Sequence, residues 1–447
     1  MSADSSAAAL APAPAAGLGE RLRRALSWNL AAAVLGQGAT FLTALLLANV
    51  LGKAVFGRYA IVQSALVTLT QVASLATGYT ATRFVAELRV KDPARAGRIL
   101  WLCGAVSTAA AGVAGVGLAL GSRWIAATLL EAPELATGLV LVAPAVFFAV
   151  QSGFQTGALA GLEAYRPLAG AAALGAAATV GGSVLLAGRF GLHGAFAGLT
   201  LGAAIQWAAL KVVLHRESRR AGVIPSRQGL SAERRVLTRF ALPAAMSGVS
   251  LPVTWLASAV LARQPGGFSQ VAIFSAATTL RVLVVFLPNL MNGVALSLIS
   301  SQMGAGDGAR YRRMFWLNVR LTAAAALAGA LGLVALGPHL LALFGAGFGR
   351  EGYPVLLVLL AGALAEAVGG AAYQVVQTKD RLWHSFFFVV GLRSVVLLSL
   401  AYALAPRWGA VGLAIAVSAG FVTAFVSTLV LAWRLGLDLP ARAPDGA

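Results

Sequence analysis

Between residues 27 and 433 the chain is a succession of long apolar runs divided by short polar segments. Such runs constrain the backbone more than any motif does. In hydrocarbon no water satisfies a peptide N–H or C=O, so a spanning segment must close its hydrogen bonds on itself as a helix, or around a closed barrel. A helix needs roughly 20 mostly apolar residues to cross, whereas a barrel strand shows about ten alternating ones. Here the runs are continuous and of helical length. Twelve can be placed, near 27–50, 57–81, 99–120, 137–160, 168–188, 193–213, 239–262, 270–299, 315–337, 354–377, 384–405 and 410–433. The expected fold class is all-α, a polytopic membrane protein of about 12 transmembrane helices.

Composition agrees. Charged residues make up 11% of the chain and the mean hydropathy is +0.82, whereas a soluble domain carries about a quarter charged residues. The 51 glycines suit helices packed closely within a bilayer. A net charge of +19 would point to nucleic acid in a soluble chain. In a membrane protein cations gather on the cytoplasmic side, and no polar segment is long enough to form a nucleic-acid-binding module. Nucleic acid is therefore not an expected partner. The first residues, "MSADSSAAALAPAPAAGLG", lack the basic start of a signal peptide, and the expectation is a disordered tail. The single cysteine, Cys103, lies in an apolar run. It reads as a small packing residue and allows neither a disulfide within the chain nor a thiol metal site.

With the N-terminus inside, 24 Lys and Arg fall in inner segments and 7 in outer ones (Lys53, Arg58, Arg123, Arg189, Arg263, Arg350 and Arg407). That asymmetry predicts cytoplasmic termini on both sides of the chain.

The chain also repeats itself. "VFGRYAIVQSA" is echoed by "GGFSQVAIFSAA", with Phe56, Ala60 and Ile61 falling on Phe268, Ala272 and Ile273 at a shift of 212. "RILWLCGAVSTAAAGVAGVGL" aligns with "RMFWLNVRLTAAAALAGALGL" at a shift of 215, and "RFGLHGAFAGLTLG" with "RWGAVGLAIAVSAG" at 218. Six spans is an even number, so both halves enter from the same side and the repeats are parallel, related by an axis along the membrane normal. The expected organisation is a disordered cytoplasmic tail (1–24), a six-helix bundle (25–213), a cytoplasmic linker (214–238), a second six-helix bundle (239–434) and a cytoplasmic tail (435–447). Two such bundles around a central cavity make the architecture of an alternating-access carrier.

Several stretches carry a more specific likeness. "VLGKAVFGRYAIVQS", "TATRFVAELR", "GALAGLEAYRPLA" and "AIFSAATTLRVLVVFLPNLMNGVALSLIS", with the paired G-x-x-G starts of spans six and twelve, resemble the polysaccharide/oligosaccharide (O-antigen-type) flippases of the multidrug/oligosaccharidyl-lipid/polysaccharide exporter superfamily. The resemblance runs in order along nearly the whole chain. It implies transport of undecaprenyl-pyrophosphate-linked oligosaccharide across a bacterial inner membrane. Membrane lipid, and a polysaccharide polymerase with its chain-length machinery, are the implied partners. The alternatives are a cation-coupled multidrug antiporter of the same superfamily and another 6+6 secondary carrier. Against the first, span one offers only Asn29 and Gln37 where such antiporters place an acid. Lipid II flippases of the superfamily have fourteen spans. Against a major facilitator carrier, "TRFVAELRVKDPARAGR" lacks the G-x-x-x-D-R-type motif after span two.

An enzyme is not expected. No outer loop exceeds about 20 residues, "VLGKAV" is not a phosphate-binding loop, and His193, His215, His339 and His384 show neither metal-ligand nor triad spacing. No cofactor, metal or catalytic residue follows from the sequence.

Charge inside the bilayer costs about 2.5–3.5 kcal/mol per residue on insertion scales, and intramembrane charges are functional by default. Arg281, Arg320, Arg393 and Glu366 accept that cost, all in the second half. A guanidinium binds phosphate through two parallel N–H bonds and stays charged. Arg281, Arg393 and Arg320 are therefore the expected substrate-binding cations, with Asn292 eleven residues beyond Arg281 on roughly the same helical side. Asn29, Gln37 and Gln155 are the neutral candidates from the first half. Glu366 is either a coupling-ion site or the structural partner of an arginine, and the plain alternative for the other arginines is snorkelling to an interface.

Overall fold

The computed structural model describes residues 18–227, 250–304, 308–378 and 386–434. Among them are helices and turns and no strands. The helices are α1 (Leu18–Leu51), α2 (Lys53–Ala73), α3 (Thr77–Leu88), α4 (Pro93–Trp124), α5 (Leu135–Gly161), α6 (Tyr165–Arg220), α7 (Ser250–Ala262), α8 (Gly267–Gly304), α9 (Gly308–Ala342), α10 (Phe348–Thr378) and α11 (Leu392–Arg434). Short π-helical segments, Ile125–Leu129 and Phe386–Gly391, follow α4 and precede α11.

α6 and α11 are each two crossings. Their helical backbone is interrupted at one residue only, Gly191 (φ 57°, ψ −136°) in α6 and Gly409 (φ 56°, ψ −132°) in α11. The chain doubles back there. Close approaches pair Gly194 with Leu186, Gly198 with Gly182 and Gly202 with Thr179, as an antiparallel hairpin requires, and Gly412 meets Leu404 in α11. The two turns are the "RFG" and "RWG" of the repeat, and they share one backbone conformation. With α2 and α3 as the two parts of span two, and α7 as the described part of span seven, the helices account for the twelve expected spans.

Three features differ from the sequence expectations. Span two is broken. α2 and α3 meet at 44°, through Leu75 (φ 43°) and Ala76 (φ 52°), which are left-handed without being glycine. The strain is held by tertiary contact: Gly78 and Gly157 let α3 and α5 touch backbone to backbone, and the Thr82 hydroxyl donates to the Gly157 carbonyl at 2.8 Å. Second, α1 begins at Leu18, inside the stretch expected to be a tail, because "ERLRRAL" is made of good helix formers. Third, α6 runs on to Arg220 and stops at Gly222 (φ 68°), a left-handed cap, so the linker begins later than 214. Residues 1–17, 228–249 and 435–447, where the rest of the tail and linker expectations fall, lie outside the described residues.

Helices α1–α6 pack on one another, as do α7–α11, giving two lobes. The lobes meet through α2, which lies against α7 and α8. At their starts α2 and α8 touch so closely that a Cβ at Gly57 would sit 1.7 Å from the Phe268 carbonyl oxygen. Trp255 Nε1 donates to the Ile61 carbonyl at 3.2 Å, and Phe41–Phe344 and Phe56–Phe348 pack edge-on across the junction.

All these contacts lie towards one end, which carries the short turns near residues 52, 130, 191, 265, 345 and 409. Polar ties close the same end. Lys53 Nζ donates to Glu351 at 2.7 Å, and Asn49 Nδ2 to the Leu343 carbonyl at 2.7 Å. Arg263 donates to the Leu129 and Thr128 carbonyls at 2.7 and 2.6 Å and lies 3.7 Å from Glu131. The two charged ties are related by the repeat: each joins the first turn of one lobe to the loop after the third span of the other. The apolar core follows suit. One large cluster, from Leu47 and Phe56 to Leu280 and Phe348, is common to both lobes. At the opposite, linker end each lobe has its own cluster, around Val85, Ile99 and Leu159 in the first and around Val389 and Leu431 in the second.

Candidate functional site

Three helices of the second lobe converge on a charged group. α8 supplies Arg281, α10 supplies Glu366, and α11 supplies Arg393 together with Phe421, from the two arms of its hairpin. Arg281 Nη2 is ion-paired with Glu366 Oε2. The Arg281 and Arg393 guanidinium carbons each lie 4.4 Å from the centroid of the Phe421 ring, so they are no more than about 8.8 Å apart, twice that distance, whichever faces they take. A desolvated cation–π contact is worth ~2 kcal/mol or more, which offsets part of the cost of holding each cation here. Arg281 is 7% exposed, whereas the Glu366 side chain keeps 30% of its surface. Among the described residues Arg393 has no carboxylate partner. Two cations and one acid make up the group, the acid paired with Arg281, and the group carries one net positive charge.

Further along α8 and α10, with α9 joining them, lies a neutral cluster. Asn318 Nδ2 donates to Asn292 Oδ1 at 3.0 Å, and Gln374 Nε2 donates to the Asn292 carbonyl at 2.9 Å. Eleven residues separate Arg281 from Asn292, about 16 Å of helix, so Asn292 belongs to this amide cluster and not to the charged group. Asn318 (7% exposed) and Gln374 (3%) are its buried members, and sequence reasoning passed over both. The only signal was an amide just inside the end of an apolar span.

The remaining expected residues are not gathered with the arginines. Gln155 is buried in the first lobe, where its Nε2 donates to the Trp207 carbonyl at 3.1 Å and its Oε1 accepts from Trp207 Nε1 at 3.3 Å. Gln37 is half-buried on α1. Asn29 lies in α1, and its side chain is outside the described set. Arg320 is exposed on α9, on the helical face of the exposed Leu317, Leu327 and Leu331. Arg320 thus stands with exposed leucines and, among the described residues, shares no contact with Arg281 or Arg393. Among the described residues no three His, Cys, Asp or Glu side chains are grouped to hold a metal ion.

Two lobes of six crossings, joined at one end and, among the described residues, separate at the other, define a multi-pass membrane protein of the MOP superfamily transporter fold. The inward-facing conformation of a multidrug resistance MATE family transporter superposes with a TM-score of 0.72 at 16% identity, over 92% of this chain and 96% of that one. A MOP superfamily transporter from Pyrococcus furiosus, described as having a binding pocket of reversed polarity, gives 0.67 at 16% identity over 94% and 97%. At such identities the likeness is one of fold. The chain belongs to the polysaccharide biosynthesis protein family, whose pattern matches residues 22–303. The EPS I polysaccharide export inner membrane protein EpsE of Ralstonia nicotianae is 26% identical over 192 residues, 42% of this chain. That match spans 43% of the length of EpsE. The family and the structural neighbours are transporters rather than enzymes.

Proposed function

We propose that this chain flips undecaprenyl-pyrophosphate-linked oligosaccharide across the bacterial inner membrane by alternating access, for the synthesis or export of a polysaccharide. The observation that carries the reading is the pair of guanidinium groups on Phe421, only one of which is paired with an acid. A net positive site inside a bilayer protein calls for an anion, and a diphosphate offers the bidentate oxygens that guanidinium prefers. A cationic drug would meet repulsion there.

The cation asymmetry of the loops orients this picture. It puts both termini and the linker end in the cytoplasm and the short-turn end in the periplasm. The lobes are then parted on the side where lipid-linked glycan is made and sealed on the side where it is delivered, an inward-open state. The polymerase and chain-length machinery would receive the glycan in the outer leaflet.

Deletion of the gene, followed by complementation, tests the reading. Deletion should abolish an exported or surface glycan and leave resistance to cationic drugs unchanged. Arg281→Lys should restore export in part, since charge survives while the bidentate geometry is lost. Arg281→Gln should not restore it, and neither should Arg281→Gln combined with Glu366→Gln, which leaves no orphaned carboxylate to impair folding. Activity is compared per inserted molecule. Normal glycan with new drug sensitivity would favour the multidrug antiporter instead.

A further inference from the structure

Arg281 and Glu366 differ in freedom. Arg281 is almost wholly enclosed and pinned on Phe421. Glu366 reaches it from α10 with 30% of its side chain still exposed. Of the two partners, the acid is the one that can leave. A carboxylate presents to a guanidinium the same two-oxygen edge that a phosphate does. It therefore occupies the place an incoming phosphate needs.

We propose that Glu366 is a built-in competitor for the anion site. Its carboxylate holds Arg281 while the site is empty, gives way to the diphosphate of the substrate, and takes up one proton as it is released. This rests on the reading that Arg281 and Arg393 bind the diphosphate.

Charge balance supplies the proton. Empty, the group carries two positive charges and one negative. A diphosphate diester brings two negative charges. With Glu366 ionised the loaded site would hold one unpaired negative charge in a medium where an uncompensated ion is expensive. With Glu366 protonated the loaded site is neutral, and the carboxylic acid remains hydrogen-bonding and uncharged. Among the described residues the charged group in contact with Glu366 is Arg281 of α8, and Arg393 of α11 joins the group through the Phe421 ring that both cations touch. The packed stretch of α9 contributes the neutral Asn318, since Arg320 lies on the exposed face, and α10 itself contributes the neutral Gln374. Tyr373 of α10 lies two turns away, against the Val389 and Leu431 cluster. In the first lobe α1 is uncharged over 25–51, and α2 is uncharged beyond Arg58. Among the described residues no other contact supplies a compensating charge.

A site guarded in this way also selects. Inorganic phosphate, or any small anion free to diffuse away, must displace a carboxylate that is tethered beside Arg281. A diphosphate held in the bilayer by its own lipid faces the same competitor at a far higher effective concentration.

The test uses the full-length protein in detergent and farnesyl-diphospho-N-acetylglucosamine as the probe, a diester with the same two charges. Calorimetry in buffers of different ionisation enthalpy counts the protons exchanged on binding. The wild type should take up about one proton per probe bound, with affinity falling up to tenfold for each pH unit above neutrality. Glu366→Gln should bind the probe more tightly at pH 8, take up no proton and show a flat pH profile. A wild type that binds without proton uptake overturns the exchange, as does a Glu366→Gln variant that retains the wild-type pH dependence. The wild-type proton count decides the matter alone if the variant fails to fold. Two outcomes lie apart from these. If the wild type does not bind the probe, or if Arg281→Gln with Arg393→Gln binds it equally well, the diphosphate reading itself fails and the exchange fails with it.

Discussion

Gly191 and Gly409 adopt nearly the same backbone conformation, in a region that only glycine enters without strain of about 1–3 kcal/mol. Their surroundings differ. Around Gly191 a Cβ would meet nothing within 4 Å, whereas at Gly409 it would lie 2.7 Å from Gln270 Oε1, which accepts from the Ala410 N–H at 3.0 Å. Gly191→Ala should therefore show the backbone cost alone, about 1–3 kcal/mol. Gly409→Ala should cost more, because it also dislodges a hydrogen bond between α8 and α11. Thermal unfolding of the two variants in detergent checks the order, and equal losses would contradict it. These turns were legible in the sequence because "RFG" and "RWG" recur at equivalent places. The charged group was legible residue by residue but not as a group. Arg281, Arg393 and Glu366 stood out as intramembrane charges, while Phe421, which brings the cations together, looks like any other apolar side chain. Arg320 carries the same charge in the same lobe, and only the assembled helices separate its leucine-lined face from a packed one.

At the scale of elements, run length made the helices plain, and a duplicated pattern made two groups of them plain. The break between α2 and α3 was not, since "SLA" contains neither glycine nor proline. It is imposed from outside, by the glycine contacts that draw α3 onto α5. The two ties at the short-turn end were invisible for a related reason. Lys53 and Glu351 are 298 residues apart, and Arg263 and Glu131 are joined only when the lobes close. Exposed ion pairs contribute little to stability, roughly 0–1 kcal/mol, so their value is in which state they favour. Cysteines replacing Lys53 and Glu351, joined by a short cleavable bifunctional thiol reagent, should halt glycan export, and cleavage of the linker should restore it. Cys103 is buried in α4 and out of the reagent's way. Export that continues at the wild-type rate while the link is intact would mean that these helix ends need not part.

For the whole molecule, the loop charges predict that reporters fused at Arg227 and after the C-terminus both report the cytoplasm. A periplasmic signal at either position would reverse the orientation on which the inward-open reading depends. The internal symmetry is otherwise close, with matching hairpin turns, matching ties and α2 meeting α8 at the junction. The electrical content of the halves is not symmetric at all, since Arg281, Arg393 and Glu366 are in the second lobe and the corresponding spans of the first carry no charge in their interiors, with amides in spans two and four alone.

The net positive charge of the Arg281, Arg393 and Glu366 group would make the proposed transport cycle sensitive to voltage. A bacterial membrane is negative inside, and a charge crossing the full field gains or loses ~2.3 kcal/mol per 100 mV. In the proposed cycle the loaded, neutral site turns outward without working against that field. Unloaded, with Glu366 ionised, it would return carrying positive charge towards the negative interior. Whatever part of the field the site traverses therefore drives the empty carrier home, and collapsing the membrane potential slows the reset rather than the delivery.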